Sequence, residues 1–463
     1  MTGHSIILND LPTLTDRLGW ESELDRMRER IENCPTPHVI GIHGSWGSGK
    51  TSFMRQLQRR LGGKCDEAGA VQSPSSARIP TNNKVVTIWF DSWRYQHEPN
   101  PVVALIQEMR RQFAAIPSVV AKFKKIGEIS LRYTLDGLGD IGKAIGYEGV
   151  VPNAGAIQKI GEAWEKSNLA EKLDSDSIRT HLHNTIVTLL PKDNSGRVVI
   201  FIDDLDRCNP RAAFKLLEGL KIYLNLPNCV FVLGMNETVL TDAIGEEIFS
   251  MSSASAGERH LRASHYLEKI CTDIYRLPLP ANTAGLFSAL LSAATDINKV
   301  SAFNLAVGEN VCLPPNPRRL KALANQWVRF SGCLPFPDDL DGQKIWAVKV
   351  LVASYIHQFH RDIWERWHFD PDFWSECVAW CSGERSKNLE GADMSPAWAS
   401  CLKLTTRTYL GDTRNRPAWS VEYPNPGDID IFWIDEIVRE YRDHLLPRDF
   451  IPLLEGRQIP RAL

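Results

Sequence analysis

The residues best suited to chemistry form a glycine-rich loop from Gly44 to Thr51. Its sequence, Gly-Ser-Trp-Gly-Ser-Gly-Lys-Thr, matches the pattern G-x-x-x-x-G-K-[ST]. In that pattern, glycines let backbone N–H groups surround phosphate oxygens. The Lys50 ammonium would reach the β- and γ-phosphates, and the Thr51 hydroxyl would hold Mg²⁺. The loop therefore predicts a site for a nucleoside triphosphate, and the competing interpretation is a structural turn.

The predicted nucleotide contacts extend through the whole loop and one residue beyond it. They are Gly44, Ser45, Trp46, Gly47, Ser48, Gly49, Lys50, Thr51 and Ser52.

A second motif follows a buried strand. Residues 198–202 are apolar and rich in β-branched side chains, and they lead into Asp203-Asp204-Leu205-Asp206-Arg207. Carboxylates at the carboxyl end of a parallel strand face the crevice where α/β sheets bind ligands. Asp203 is predicted to bind Mg²⁺, and Asp204 is predicted to orient and deprotonate the attacking water. A solvated acidic turn is the competing interpretation.

These motifs need a sheet that brings them together. Apolar runs predict strands at 39–42, 85–90, 198–202, 230–235 and 274–277, and helical periodicity separates them. The predicted fold is an α/β P-loop NTPase, with a parallel sheet flanked by helices, a large helical insertion and an α-helical C-terminal region. The predicted domains are a lead-in helix (1–34), the NTPase domain (35–280, insertion about 100–192), a helical lid (281–345) and a tryptophan-rich helical domain (346–463).

Composition limits the classes of protein that fit. The chain has 463 residues, a formal charge of −3 and 10 scattered cysteines. This net charge produces no overall positive potential that would attract nucleic acid, and the sequence leaves nucleic-acid binding undecided. The cysteines lack the spacing of a disulfide framework, and we see no signal peptide or spanning segment. We therefore predict a cytoplasmic protein without a membrane anchor.

Two polar positions beyond the motifs are candidates for the site. Asn236 follows the fourth predicted strand, where it contacts the γ-phosphate or water, or else caps the next helix. Arg318 begins a helix after the fifth strand, where it reaches the phosphates from the lid or lies on the surface.

Other side chains are weaker candidates. Arg259 and Arg262 precede the helix around Tyr266, and one of them is a candidate arginine finger for a neighbouring subunit, which would imply self-association. His357, His360, His368, Cys377 and Cys381 are near zinc-ligand spacing, but surrounding aromatic residues favour a packed core. The tryptophans of the C-terminal region are more simply packing anchors than base-stacking platforms.

The chain resembles the KAP family of P-loop NTPases, within the STAND-type branch. The resemblance rests on Trp46 in the loop, on 90–95 (Phe-Asp-Ser-Trp-Arg-Tyr), on Asp203 to Arg207, and on downstream blocks at 266–270, 277–278 and 316–318. It covers roughly residues 16–327. Two exchanges depart from the family pattern, because Asp91 stands where asparagine is common and Asn236 where aspartate is common.

The resemblance implies a soluble, bacterial-type member, because many relatives carry transmembrane helices in the insertion and this insertion is highly charged. It also implies a role in antiphage or anti-plasmid defence. The favoured hypothesis is a Mg²⁺-dependent ATPase that acts as a conformational switch. The alternatives are a nucleotide-gated scaffold that recruits a separately encoded effector with little turnover, and a kinase of small molecules.

Overall fold

The computed structural model describes residues 11–63, 85–97, 196–223, 226–249, 255–271, 273–278, 282–307, 313–375 and 440–455. It also describes the single positions 8, 104, 105, 108, 109, 111, 112, 183, 186, 190, 280, 378, 437 and 438. The predicted helical insertion at about 100–192 therefore lies almost entirely outside the described residues. The chain divides into two compact units. One comprises Leu11–Asp16 and Trp20–Leu277, and the other comprises Met1–Asp10, Arg17–Gly19 and Pro278–Leu463.

A five-stranded parallel sheet forms the centre of the first unit. Its strands follow the order β2-β3-β4-β1-β5. Their bounds are β1 His38–His43, β2 Val85–Asp91, β3 Arg197–Asp203, β4 Cys229–Met235 and β5 Asp273–Arg276. The predicted α/β fold with a parallel sheet flanked by helices is thus confirmed.

The register of the strands brings their carboxyl ends to one edge. Asp91 at the end of β2 pairs with Asp203 at the end of β3. His43 at the end of β1 pairs with Met235 of β4 on one side and with Arg276 of β5 on the other. Side chains that follow these strands consequently meet at the same edge.

Among the described residues of the first unit, five helices accompany this sheet: α1 Glu21–Asn33, α2 Lys50–Arg60, α3 Pro210–Tyr223, α4 Glu237–Phe249 and α5 Ala256–Ile270. The lead-in helix α1 buries Leu24, Met27 and Ile31 at helical spacing. It is fixed to α2 by ion pairs from Arg60 to Glu21 and Asp25, both at 2.6 Å. The sheet itself is buried through apolar side chains on both faces.

The second unit is helical within the described residues. Its helices are α6 Thr283–Ser292, α7 Ile297–Val307, α8 Pro317–Phe330, α9 Leu340–Phe359, α10 Arg361–Phe369 and α11 Ile451–Glu455. Polar N-caps begin α6, α8 and α9, where Asn282, Asn316 and Asp339 accept hydrogen bonds from backbone N–H groups of the first turn. One hydrophobic cluster runs from Leu286 to Leu454. None of the helices that the structure describes has both the length and the apolar character to cross a lipid bilayer.

Candidate phosphate-binding site

A tight backbone turn joins β1 to α2. Gly47 and Gly49 have φ angles of 82° and 97°, a left-handed conformation that residues with a Cβ rarely adopt. Lys50, the first residue of α2, follows directly. The free N–H groups of the helix N-terminus therefore continue the loop, as anion binding at a helix start requires.

The start of the loop packs against its own end. The backbone N–H of Gly44 donates to the carbonyl of Met235 at 3.2 Å, and that of Ser48 donates to the carbonyl of Ser45 at 3.1 Å. A Cβ at Gly44 would overlap Oγ of Ser48 and lie 3.1 Å from Cγ of Lys50. The Ser48 Oγ is buried and has no hydrogen-bond partner among the described residues. A ligand oxygen in the loop would supply that partner.

Lys50 is folded back over the loop and is 7% exposed. Its ammonium donates to the carbonyl oxygens of Gly44 at 2.8 Å and Ser45 at 3.3 Å. It also pairs with Oδ2 of Asp206 at 3.3 Å. These three contacts match the three N–H donors of the ammonium group.

Asp203 ends β3 with a buried carboxylate. Burial raises its pKa, and a hydrogen bond from the Thr51 hydroxyl and the charges of Lys50 and Arg55 lower it only in part. Its Oδ1 is buried without a hydrogen-bond partner among the residues that the structure describes. The tertiary structure thus brings together the two residues that were predicted to hold Mg²⁺.

This pair fits a magnesium ion on chemical grounds. Mg²⁺ takes hard oxygen ligands and is usually held by one or two protein oxygens together with substrate phosphates. A cation beside Asp203 would offset the burial of its charge, and Thr51 offers a hydroxyl next to it.

Asp204 has a different environment from its neighbour. Its backbone is left-handed, with φ of 58°, and its Oδ1 lies 2.9 Å from Nε of Arg207. Its pKa is raised to about 7, first by burial and next by the charge of Asp203, while Arg207 lowers it. A carboxyl group that titrates near neutral pH is suited to general-base chemistry.

The segment after β2 is bound to the acidic motif. The hydroxyl and the backbone N–H of Ser92 both donate to the carbonyl of Asp203, at 2.5 and 3.1 Å. The Arg207 guanidinium lies 5.8 Å from the ring centroid of Trp93. Asp91 is the register partner of Asp203 and contributes to the raised pKa of Asp204. The end of β2 therefore belongs to the electrostatic environment of the site.

Asn236 lies between β4 and α4. Its carbonyl accepts the first helical hydrogen bond of α4, from the N–H of Leu240 at 3.0 Å. That is the N-cap position, at the sheet edge where the loop and the acidic motif also lie. A contact of its side chain with phosphate or water remains a prediction.

Residues 22–327 match the model of the KAP family P-loop domain. The chain belongs to the KAP family. This range contains the phosphate loop, the acidic motif and the start of α8, so the resemblance seen in the sequence is confirmed. The chain is also similar to the phage T7 exclusion protein of Escherichia coli (strain K12), with 23% identity over 289 residues, which are 60% of this chain and 35% of that protein. The matched part thus spans about a third of the length of that relative.

Arg318 is part of the KAP match but belongs to the second compact unit. It lies in the first turn of α8, where Asn316 accepts hydrogen bonds from the backbone N–H groups of Arg318 and Arg319, at 3.1 and 3.2 Å. The start of a helix at this position is as predicted. The reach of the Arg318 guanidinium to phosphate remains a prediction.

The expected position of Arg259 and Arg262 before a helix is wrong, because both lie within α5. Ser255 and Glu258 form a capping box that starts the helix at Ala256, inside a stretch whose composition suggests a loop. An arginine-finger role for either residue remains a prediction.

Two of the candidate zinc ligands of the KAP chain lie in packed surroundings. The His357 ring meets the ring of Trp364 at 4.8 Å. Burial, and next the charge of Arg319, lower the pKa of His360 to about 4. Cys377 and Cys381 lie outside the described residues. Within the described ranges, no three His, Cys, Asp or Glu side chains gather as a metal site would require.

Two further predicted contacts of the KAP loop have distinct surroundings. Trp46 is 67% exposed. The Ser52 hydroxyl accepts a hydrogen bond from the backbone N–H of Thr13 at 3.1 Å.

Three residues of this site were not singled out from the sequence. Asp206 is the ion-pair partner of Lys50. Its place as the third aspartate of the acidic motif is the sequence feature that could have indicated it. A Cβ at Gly234 would lie 2.7 Å from Oδ1 of Asp203, and its signal was a glycine inside an apolar strand. His43 accepts a hydrogen bond from the backbone of Glu237, and no local pattern indicated that contact.

Proposed function

We propose that this KAP protein is a Mg²⁺-dependent ATPase that works as a conformational switch. The observation that carries the proposal is the position of the Thr51 hydroxyl beside the buried Asp203 carboxylate, whose pKa it lowers, in a site that also holds the buried Lys50. A metal-binding hydroxyl, a metal-binding carboxylate and a phosphate-binding ammonium are the groups that phosphoryl transfer uses in P-loop NTPases.

Each residue has a defined part in the proposed reaction. The loop amides and Lys50 bind the β- and γ-phosphates and stabilise the charge on the transferred group. Thr51 and Asp203 would hold Mg²⁺, which would neutralise part of the phosphate charge. Asp204 orients the attacking water and accepts its proton. ATP is preferred to GTP because no N-K-x-D guanine-reading motif follows a core strand.

Two substitutions test the site. Lys50→Ala should abolish ATP binding or turnover, whereas Asp204→Asn should bind ATP and hydrolyse it very slowly. Isothermal titration calorimetry gives the affinity, and phosphate release gives the rate. Lys344→Ala, which removes a partly exposed lysine of the other unit, is the control. Wild-type ATP hydrolysis by Lys50→Ala would refute the assignment.

The same phosphate-release measurement decides between a switch with turnover and a nucleotide-gated scaffold. A scaffold would bind ATP with high affinity and release no phosphate above the rate of Lys50→Ala, with or without candidate effector proteins. Steady release by the wild type that Asp204→Asn abolishes supports the ATPase.

We further propose that the nucleotide controls self-association through Arg259 or Arg262, which both lie within α5. Light scattering after size-exclusion chromatography, with and without a non-hydrolysable ATP analogue, measures the mass. A monomer in both conditions contradicts this part of the proposal.

The name of the Escherichia coli relative supports a biological role in phage exclusion for this chain as well. Cells that express the wild type should form fewer phage plaques than cells that express Lys50→Ala. Equal plaque counts for the two, across a panel of phages, would contradict that role.

A further inference from the structure

The Lys50 ammonium is shared between the phosphate loop and the acidic motif, through two loop carbonyls and the Asp206 carboxylate. We propose that Asp206 is a positioning residue that sets the affinity of the site, because its carboxylate competes with the nucleotide phosphates for Lys50. The proposal rests on the nucleotide site described above and adds a residue that limits its affinity.

The ion pair between the two residues is buried. Both side chains are 8% exposed, and Oδ2 of Asp206 lies 3.3 Å from Nζ of Lys50. The other oxygen, Oδ1, is buried and has no hydrogen-bond partner among the described residues. Since water does not screen such a pair, each charge depends on the other for compensation.

A phosphate group needs the same ammonium. All three N–H donors of Lys50 already face protein oxygens, so a bond to a β- or γ-phosphate oxygen requires one of those contacts to be released. A phosphate beside Nζ would also place negative charge near Oδ2 of Asp206, and like charges at this distance repel.

Of the three contacts of the Lys50 ammonium, the one with Asp206 can be released. The carbonyls of Gly44 and Ser45 belong to the loop backbone, which the bonds Gly44–Met235 and Ser48–Ser45 hold in place. Asp206 lies in a single 3-10 turn, Leu205–Arg207, and its carboxylate can leave Lys50 by rotation of the side chain. Release of this pair is therefore a cost that each binding event includes.

The test is Asp206→Asn, which removes the charge and keeps the volume. We expect the Kd for ADP in Mg²⁺ buffer, measured by calorimetry, to fall about tenfold, since one charged hydrogen bond no longer competes. The Kd for AMP, which lacks the β-phosphate, should stay the same. The melting temperature without nucleotide should fall, because Lys50 loses its buried partner. General damage to the fold would lower both stability and nucleotide affinity. It would not tighten the binding of ADP while leaving that of AMP unchanged.

Asp242→Asn, at an exposed aspartate of α4, is the matched control and should leave the ADP affinity unchanged. If Asp206→Asn does not fold by circular dichroism, Asp206→Ser takes its place with the same expected tightening. Unchanged or weaker ADP binding by a folded variant overturns the inference. Lys50→Ala, measured in parallel, distinguishes a failure of the proposed nucleotide site from a failure of the role proposed for Asp206. ADP binding at the wild-type level by that variant refutes the nucleotide site itself, whereas loss of binding there without tightening in Asp206→Asn refutes only the role of Asp206.

Discussion

The backbone N–H of Glu237 donates a hydrogen bond of 2.9 Å to Nδ1 of His43. This bond connects the first residue of α4 to the last residue of β1, directly before Gly44. The Glu237 carboxylate pairs with Arg276 at 2.7 Å, and the backbone N–H of Leu277 donates to the carbonyl of His43 at 2.9 Å. His43 thus connects the base of the phosphate loop to the segments that follow β4 and β5.

Replacement of His43 by alanine should loosen this connection. The Glu237 N–H would lose its acceptor, and we expect the free energy of unfolding to fall by about 1–2 kcal/mol. Urea denaturation measures the change, and ADP binding should weaken as the loop base becomes less fixed. His260→Ala is the control, because that ring is exposed beside Asp242 and should contribute less than about 0.5 kcal/mol. Equal losses for the two variants would contradict the role of His43.

Gly44→Ala should destabilise the loop through steric overlap. The added Cβ would collide with Oγ of Ser48 and approach Cδ1 of Leu277 to 3.3 Å. We expect a loss of about 1–3 kcal/mol in a urea titration, together with loss of nucleotide binding. Gly257→Ala is the matched control, because its added Cβ would have no neighbour within 4 Å beyond the adjacent residues and the backbone of its own helix. We expect α5 to gain up to about 1 kcal/mol from a better helix former. A Gly44→Ala variant with wild-type ADP affinity would show that the loop can relax.

Gly234→Ala should act on the proposed metal site and not on the loop. Its Cβ would lie 2.7 Å from both Oδ1 of Asp203 and Sδ of Met54, so the carboxylate would have to move. We expect the Mg²⁺ concentration that supports half-maximal ATP hydrolysis to rise, while ADP binding without Mg²⁺ changes little. A Mg²⁺ requirement equal to that of the wild type would show that Asp203 does not depend on this space.

The buried His360 should make the stability of the second unit depend on pH. Its pKa of about 4 lies below the ordinary value of 6.5, so the unfolded chain binds more protons between these two values. Stability therefore falls as the pH is lowered from 6.5 to 4, by up to about 3 kcal/mol for this group, and is unaffected by it above 6.5. Unfolding free energies of the wild type and His360→Asn, measured from pH 7 to pH 4.5, should show a shallower slope for the variant. Parallel curves would mean that the ring is solvated in the folded protein.

Much of the site could be predicted because its signals are local. The glycines and Lys50 occur in one eight-residue pattern, and Asp203 follows an apolar run rich in β-branched residues, which is typical of a buried strand. The five strands were predicted for the same reason, since period and residue type are read over a few neighbours. The start of α5 was missed because the capping box of Ser255 and Glu258 lies in a stretch whose composition resembles a loop.

The sequence by itself determined that a phosphate loop and an acidic strand end exist in this chain, because short-range sterics and apolar periodicity specify both. Only the tertiary structure decided which groups meet. Asp206 is 156 residues from Lys50 in the chain but 3.3 Å from it in space, and Gly234 leaves room for Oδ1 of Asp203 from the neighbouring strand. These contacts depend on strand order and register, which are set by packing of the whole sheet and not by any segment alone.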